Sequence, residues 1–362
     1  MKKIIALMSL STMLAYGSGY EKTVTWSGKY NGRAGAAVSS VADSEGLYFN
    51  PAGMAHVEGG NISGNFSPVF SKFTADTGAG TLEGERTFSP FFGVTGAMNV
   101  YDGWVVGLGA YAAGGQKFEY ENVTEVNFSL IQASLGVAYS FTPEFSFGAA
   151  WVASMASFTT ENSGSAKVEQ DGENYAGARF GFQYITDTFG VGLTGRLPIE
   201  IEVEGDNQTL TTDFPLQVAL GGHYVFNHEF TAHLEYAFTN YSEVNTKVEA
   251  GSVTVADGKN GWNEQHSVRV GFDYAPIENW TFRTGYAFIS QVVPENKAQV
   301  TSSTAGVAHA VTLGAGTSFD VNGGQKVAVN VAGDYSFSSG SDSQEDAFSD
   351  AFGGHLGVSY TF

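Results

Sequence analysis

The sequence predicts an all-β protein: a transmembrane antiparallel β-barrel of about 14 strands, with an N-terminal hatch, or plug, inside its lumen. Three observations predict it. Six tight-turn signals recur at intervals of roughly 40 to 50 residues. Strictly alternating segments flank each turn. No stretch past the N-terminus is long and apolar enough for a membrane helix, although 43% of residues are hydrophobic. A soluble chain of 362 residues would divide into two or more domains, whereas a barrel of this length is one domain.

The N-terminus reads as a secretion leader over residues 1–17. Lys2 and Lys3 supply the positive end, residues 4–14 an apolar stretch, and Ala15-Tyr16-Gly17 the small residues of a cleavage site. Leader plus barrel predicts the outer membrane of a Gram-negative-type cell.

Residues 18–58 do not alternate. The run from Gly32-Arg33-Ala34-Gly35 to Ala42 is rich in small residues and predicts a short helix, and small residues suit a plug packed inside a barrel. A flexible periplasmic tail is the plainer reading, but moderate hydrophobicity and the lack of charge runs weigh against disorder.

The barrel occupies residues 59–362. Its turns are Tyr101-Asp102-Gly103, Thr142-Pro143-Glu144, Thr186-Asp187-Thr188, Asn227-His228-Glu229, Ile277-Glu278-Asn279 and Asn322-Gly323-Gly324. They join strand pairs, with one strand before them and one after, an even number. In the last strand Leu356, Val358, Tyr360 and Phe362 take one face and His355, Gly357, Ser359 and Thr361 the other. In the strand after Asn279, Trp280, Phe282, Tyr286 and Phe288 alternate with Thr281, Arg283, Gly285 and Ala287. The large apolar set is expected to face lipid and the small or polar set the lumen, so the lumen should be narrow or plugged. Trp104, Tyr139, Phe141, Trp151, Tyr224, Phe226, Tyr274 and Trp280 fit interfacial girdles. Seven outer loops are expected, all short, polar and acidic, among them residues 204–212, 244–263 and 338–351.

The net charge of −20 argues against a nucleic-acid partner. The acids concentrate in expected loops, where a solvated surface is the ordinary meaning. Asp342, Glu345, Asp346 and Asp350 form one such loop, whose other reading is a Ca²⁺ bridge to lipopolysaccharide. The absence of Cys is compatible with an oxidising compartment. No Gly-x-Ser-x-Gly elbow, His-Glu-x-x-His pair or phosphate loop is present, and the seven His have no metal spacing. The sequence therefore calls for no enzyme, metal or cofactor.

Four arginines fall on the expected luminal face: Arg179, Arg196, Arg269 and Arg283. Guanidinium matches a carboxylate bidentately, so these are candidates for holding the head of an acidic substrate. The competing reading is an internal ion-pair network with Glu235, Asp273 and Asp334.

Gly32-Arg33-Ala34-Gly35, then Asp43, then Tyr48-Phe49-Asn50-Pro51-Ala52-Gly53-Met54 resemble the N-terminal hatch of the FadL family of outer-membrane channels for long-chain fatty acids and aromatic hydrocarbons. Asn50, Pro51 and Ala52 form the most recognisable part. Phe214-Pro215-Leu216, Trp280 to Tyr286 and His309 to Gly316 are similar to that family's strands more loosely. The resemblance implies passive uptake of hydrophobic molecules, long-chain fatty acids first, with aromatic hydrocarbons as the alternative. A general aqueous porin or an adhesion barrel is the alternative of a different class. It also implies lateral release through a gap made by an inward kink of the third strand. That strand, residues 104–119, contains Gly107, Gly109, Gly114 and Gly115, the candidates for the opening, although Gly in a lumen also simply makes room. The expected partners are the hydrophobic solute, outer-membrane lipid and lipopolysaccharide, and the barrel-assembly machinery, which reads a terminal aromatic such as Phe362. The expected state is a monomer.

Overall fold

Alternation with a period of two, interrupted every ten to eighteen residues by a turn, commits this chain to antiparallel pairing of neighbours in sequence. The computed structural model describes residues 26–77, 80–120, 124–162, 167–205, 208–294, 306–321, 323–341 and 346–362. The expected leader, residues 18–25, and Asn322, Asp342 and Glu345 lie outside the described residues.

Among the described residues, 14 strands close into one antiparallel barrel. We number them β1 (Gly60–Thr77), β2 (Thr87–Tyr101), β3 (Trp104–Tyr120), β4 (Thr124–Ser140), β5 (Phe145–Asn162) and β6 (Val168–Ile185). The interrupted strands follow: β7 (Phe189–Arg196, then Ile199–Gly205), β8 (Gln208–Phe214, then Gln217–Asn227), β9 (Phe230–Thr239, then Asn245–Ala250) and β10 (Val253–Lys259, then Gln265–Ile277). The last four are β11 (Trp280–Ile289), β12 (Val307–Val321), β13 (Gln325–Ser341) and β14 (Asp346–Thr361). A short run, Gly80–Glu83, pairs back on β1 ahead of β2. Closure comes from β14 on β1, in register from Asn61↔Thr361 to Asp76↔Asp346.

The turns form for local reasons. Thr142 Oγ1 accepts the N–H groups of Glu144 and Phe145, Thr186 Oγ1 those of Thr188 and Phe189, and Asn227 Oδ1 those of Glu229 and Phe230. Gly103 takes a left-handed φ of 80°, which a side chain would resist.

Large apolar side chains cover the outer wall. Leu108 is 67% exposed and Leu313 69%, with Phe182, Leu220 and Leu356 also exposed. An apolar surface that encircles the molecule is stable only against lipid. No helix among the described residues is long and apolar enough to cross a membrane, so strands do the crossing.

Two expectations need correction. Residues 204–212, 244–263 and 338–351 are largely strand rather than loop: the first two are hairpins that continue β7 to β10, and in the third β13 runs to Ser341 and β14 starts at Asp346. The luminal face is small and polar only in its inner half. Along β4 the inward residues read Gln132, Ser134 and Gly136 towards the turn end, but Val126, Phe128 and Leu130 towards the outer rim, all buried.

Residues 26–58 fill the inner half. The expected single helix over residues 32–42 is replaced by a 3-10 turn at Asn31–Arg33, with Gly46–Phe49 and Pro51–His56 as further short turns.

Candidate functional site

The luminal segment is held by the wall at many points, and each strand side chain that holds it comes from an inward position. Asn50 caps the Pro51–His56 turn through Oδ1, which accepts the N–H of Ala52 at 3.2 Å. Its Nδ2 donates to the carbonyls of Val38 at 2.8 Å and Phe182 at 3.1 Å. Pro51 sits at the first position of the turn, where a missing N–H costs nothing. Ala52 is fully buried. A Cβ on Gly148 or Gly181 would collide with Pro51 or Asn50, so these strand glycines are needed for close approach.

Ion pairs fix the middle of the segment. Arg33 donates through Nη1 to Asp273 and to His233 Nε2, both at 2.9 Å, and through Nη2 to Ser40 at 2.8 Å. Glu235 accepts the N–H groups of Ala37 and Val38 at 3.0 Å each, and Arg269 lies 3.3 Å from its other oxygen. Thr312 Oγ1 accepts the N–H of Ala34 and donates to the carbonyl of Gly32. Asn31 meets His355 Nδ1 at 2.9 Å, and His355 Nε2 meets Asp334. Ser67 also touches His355, but it is fully buried and donates to the carbonyl of Trp26. This serine, histidine and aspartate therefore anchor the segment rather than face a substrate.

Nearer the leader, Asp43 accepts from Lys29 Nζ at 2.7 Å and Tyr30 Oη at 2.8 Å. Burial pushes the Asp43 carboxyl up, but the Lys29 ammonium and these hydrogen bonds outweigh it and hold it below the ordinary carboxylate value. Glu45, buried and beside Asp43, is pushed the other way, although Ser63 and Asn65 donate to it.

Above the segment the lumen is apolar. Trp26 stacks on Tyr111 with ring centroids 5.6 Å apart, and Tyr48 meets both rings edge-on. From there a buried cluster including Phe91, Phe128, Phe158, Ile201 and Phe214 continues to Tyr241 and Val292 near the outer rim.

The wall is incomplete where this apolar region meets β2 and β3. Their ladder runs from Tyr101↔Trp104 up to Gly93↔Tyr111 and stops. Contact resumes at the rim, where Thr87 Oγ1 donates to the carbonyl of Lys117 at 2.9 Å and Glu85 N–H to that of Glu119 at 2.7 Å. Within this gap β3 bulges against β4 between Ala112 and Gly114, and Pro90 offers β2 no N–H. A cavity of about 260 Å³ occupies it, lined by Phe88, Pro90, Phe91, Gly114, Gly115 and Phe128 among others.

The candidate glycines thus separate. Gly114 and Gly115 line the gap. Gly107 and Gly109 lie below it in paired strand, Gly107 against Met54 and Leu47, and Gly109 against Thr95. The candidate arginines separate too. Arg269 pairs with Glu235; Arg283 lies 3.6 Å from Asp273 and donates to Asn330. Arg179 and Arg196 face each other across β6 and β7. Arg196 donates to the carbonyl of Pro215. Arg179 is 5% exposed, its guanidinium 4.9 Å from the centre of the Tyr48 ring, and no ion pair joins it to a carboxylate among the described residues.

Sequence reasoning missed the apolar outer lumen and the roles of Trp26, Tyr48 and Tyr111. One signal was available: Val126, Phe128 and Leu130 share the parity of Gln132 and Ser134, which already face inward. No group of three or more His, Asp or Glu among the described residues has the geometry to hold a metal ion. Asp350, expected in the acidic loop, lies in β14 and pairs with Arg86 at 2.8 Å.

Residues 133–361 match the family described as outer membrane protein transport protein (OMPP1/FadL/TodX). The chain is 30% identical over 141 residues to the long-chain fatty acid transport protein of Salmonella typhi, covering 38% of this chain. That match spans 32% of the relative, about a third of its length. In fold, the chain is similar to a Pseudomonas aeruginosa FadL homologue, with a TM-score of 0.73 and 14% identity over 93% of this chain and 98% of the other. It is also similar to the toluene transporter TodX of P. putida, with a TM-score of 0.69 and 14% identity over 94% and 99%.

Proposed function

The chain belongs to the OMPP1/FadL/TodX family of outer membrane transport proteins, and from that premise we propose that it takes up hydrophobic molecules passively, long-chain fatty acids foremost. The solute enters the apolar outer lumen, meets the luminal segment as a closed hatch, and leaves sideways between β2 and β3. No catalytic step belongs to this reading. The observation that carries it is the continuity of apolar lining from the outer rim to the place where the wall loses its ladder.

The physical case is one of solvation. Each methylene of an alkyl chain costs about 0.8 kcal/mol to keep in water. An apolar lumen opening into lipid spares that cost, and a polar hatch below it denies the straight route. Gly114 and Gly115 form the opening, and Asn50, Pro51 and Ala52 keep the hatch folded. Arg179 is our candidate for holding the substrate carboxylate, since it alone of the four candidates is held by an aromatic ring rather than by oxygen partners. Aromatic hydrocarbons are the second reading, favoured by the small, phenylalanine-lined cavity in the gap.

The test is uptake of labelled oleate by cells that lack their own fatty-acid channel and express this chain. We expect uptake, reduced about tenfold in Arg179→Ala, a loss on the scale of one charge-assisted contact. Toluene uptake without oleate uptake from a folded barrel would select the second reading. Unchanged oleate uptake in Arg179→Ala would remove that residue from substrate binding.

A further inference from the structure

The wall loses its ladder a second time. Between β6 and β7 pairing runs up to Arg179↔Arg196, stops, and returns only at Asp171↔Glu204. Both pairs belong to one register, so the strands stay aligned and close while the ladder between them lapses. The gap between β2 and β3 is built the same way, since Gly93↔Tyr111 and the Thr87–Lys117 contact also share one register.

The likeness extends to the sequence. In each gap one strand bulges against its other neighbour: β3 against β4 at Ala112–Gly114, and β6 against β5, where Val152↔Gly177 gives way to Ser154↔Asn174. In each gap the opposing strand carries a proline, Pro90 or Pro198, which cannot donate to a ladder. Continued through the gaps, the registers set Pro90 opposite Gly114 and Pro198 opposite Gly177. Bulge, proline and glycine together end pairing without ending the strand.

The second gap is closed by substitutes for the ladder. Asn174 Nδ2 donates to the carbonyl of Glu200 at 2.6 Å, while its Oδ1 accepts the N–H of Ala176 at 2.7 Å. Trp151 Nε1 donates to the carbonyl of Tyr175 at 2.5 Å, and at the foot of the gap Leu197 N–H donates to the carbonyl of Ala178 at 3.0 Å, a last backbone bond in the same register. Backbone groups left without a ladder need partners, and here side chains supply several of them. A side-chain strap releases by rotating about its own bonds, whereas a ladder releases only when strands separate. Arg179 stands on the luminal side at the foot of the seam, and Tyr175 and Leu197 are exposed on the outer wall. Together they connect a luminal cation to an apolar exterior.

We propose that the seam between β6 and β7 is a second lateral portal, gated by Asn174 and used by amphipathic molecules with an acidic head. The proposal rests on the transport reading above. The alkyl tail enters the seam first while Arg179 holds the head. Exposed Glu173, Glu200 and Glu202 line the outer lip. Like charge there opposes an ionised carboxylate, so the head crosses last, as the neutral acid, with a proton taken from water.

The chain has no Cys, so Ala178→Cys with Leu197→Cys makes one disulfide across the seam, at positions already joined by a backbone hydrogen bond. Uptake of labelled oleate and of toluene is measured in cells expressing the oxidised pair, with folding verified by heat-modifiable migration. We expect oleate uptake to fall but not vanish, since the route between β2 and β3 stays open, with full toluene uptake and recovery of oleate uptake on reduction. Unchanged oleate uptake overturns the portal, as does an equal loss of both probes. A wild-type chain that takes up neither probe overturns the transport reading and the portal with it, whereas wild-type uptake that the lock leaves intact sinks the portal alone. Should the cysteine pair fail to assemble, Asn174→Ala decides: raised oleate uptake supports the strap, and unchanged uptake overturns it.

Discussion

The two halves of the lumen share strands, parity and wall, yet differ in chemistry. Along β4 the outer half presents Val126, Phe128 and Leu130, and the inner half Gln132, Ser134 and Gly136. Small and polar side chains leave space and hydrogen-bonding groups for a polypeptide, and residues 26–58 occupy that space. Large apolar side chains leave no polar demand, and the half they line suits an oily solute. Alternation therefore decides only which residues face inward. The size and polarity of those residues decide whether the lumen holds protein or ligand.

The largest expected effect tests the inner half. Arg33→Met removes the contacts to Asp273, His233 and Ser40 and leaves Asp273 with Arg283 at 3.6 Å. Breaking one side of a buried pair costs about 3–5 kcal/mol. The hatch should loosen, seen as ion conductance in planar bilayers and as protease cleavage within residues 26–58, while the barrel stays folded. A quiet, uncleaved variant would mean that packing alone holds the segment.

A smaller effect is expected nearer the leader. Asp43→Asn takes the charge from the Lys29 and Tyr30 contacts, a loss of about 2 kcal/mol. Because the Asp43 carboxyl is held below its ordinary value, its stabilisation is complete above that value and fades as pH falls through the folded one. Glu45, raised by burial and by Asp43, has the opposite sign: its stabilisation is present in acid and fades as pH rises. Glu45 is common to both proteins, so protection factors of the segment, corrected for the intrinsic exchange rate, should fall more on acidification in the wild type than in Asp43→Asn. Equal acid slopes in the two proteins would assign the acid limb to other groups.

The smallest effect lies at the boundary. Tyr111→Phe keeps the stack on Trp26 but deletes the hydroxyl contact to Ser134 at 2.6 Å. The loss is about 1 kcal/mol. Thermal stability should fall slightly and uptake should not change. Abolished uptake would show that the apolar half needs this polar contact, and the contrast between the halves would be less sharp than drawn.

Much of the fold was legible in the sequence because its signals are local. Turn chemistry at Thr142, Thr186 and Asn227 and a period-two pattern set strand number, order and outer face. Asn50-Pro51-Ala52 was legible only through its resemblance to a family motif, and the cap that Asn50 makes on the following turn came from the structure. The long hairpins of β7 to β10 were misread because their outward faces carry Glu200, Glu202, Glu204 and Glu249, which look like loop residues when burial is unknown. The arginines were indistinguishable in sequence: Arg269, Arg283 and Arg179 all sit at inward positions, and only their surroundings separate them.

By itself the sequence determined that the chain makes an antiparallel barrel, which side chains meet lipid, and which stretch has no strand of its own. These follow from periodicity and turn residues, which act within a few positions. Tertiary structure alone decided where the wall loses its ladder, which candidate arginine stands against an aromatic ring, and that one lumen has two halves. Those properties depend on register between strands and on distances between residues far apart in the chain, such as Arg33 and Asp273, and no local pattern encodes them.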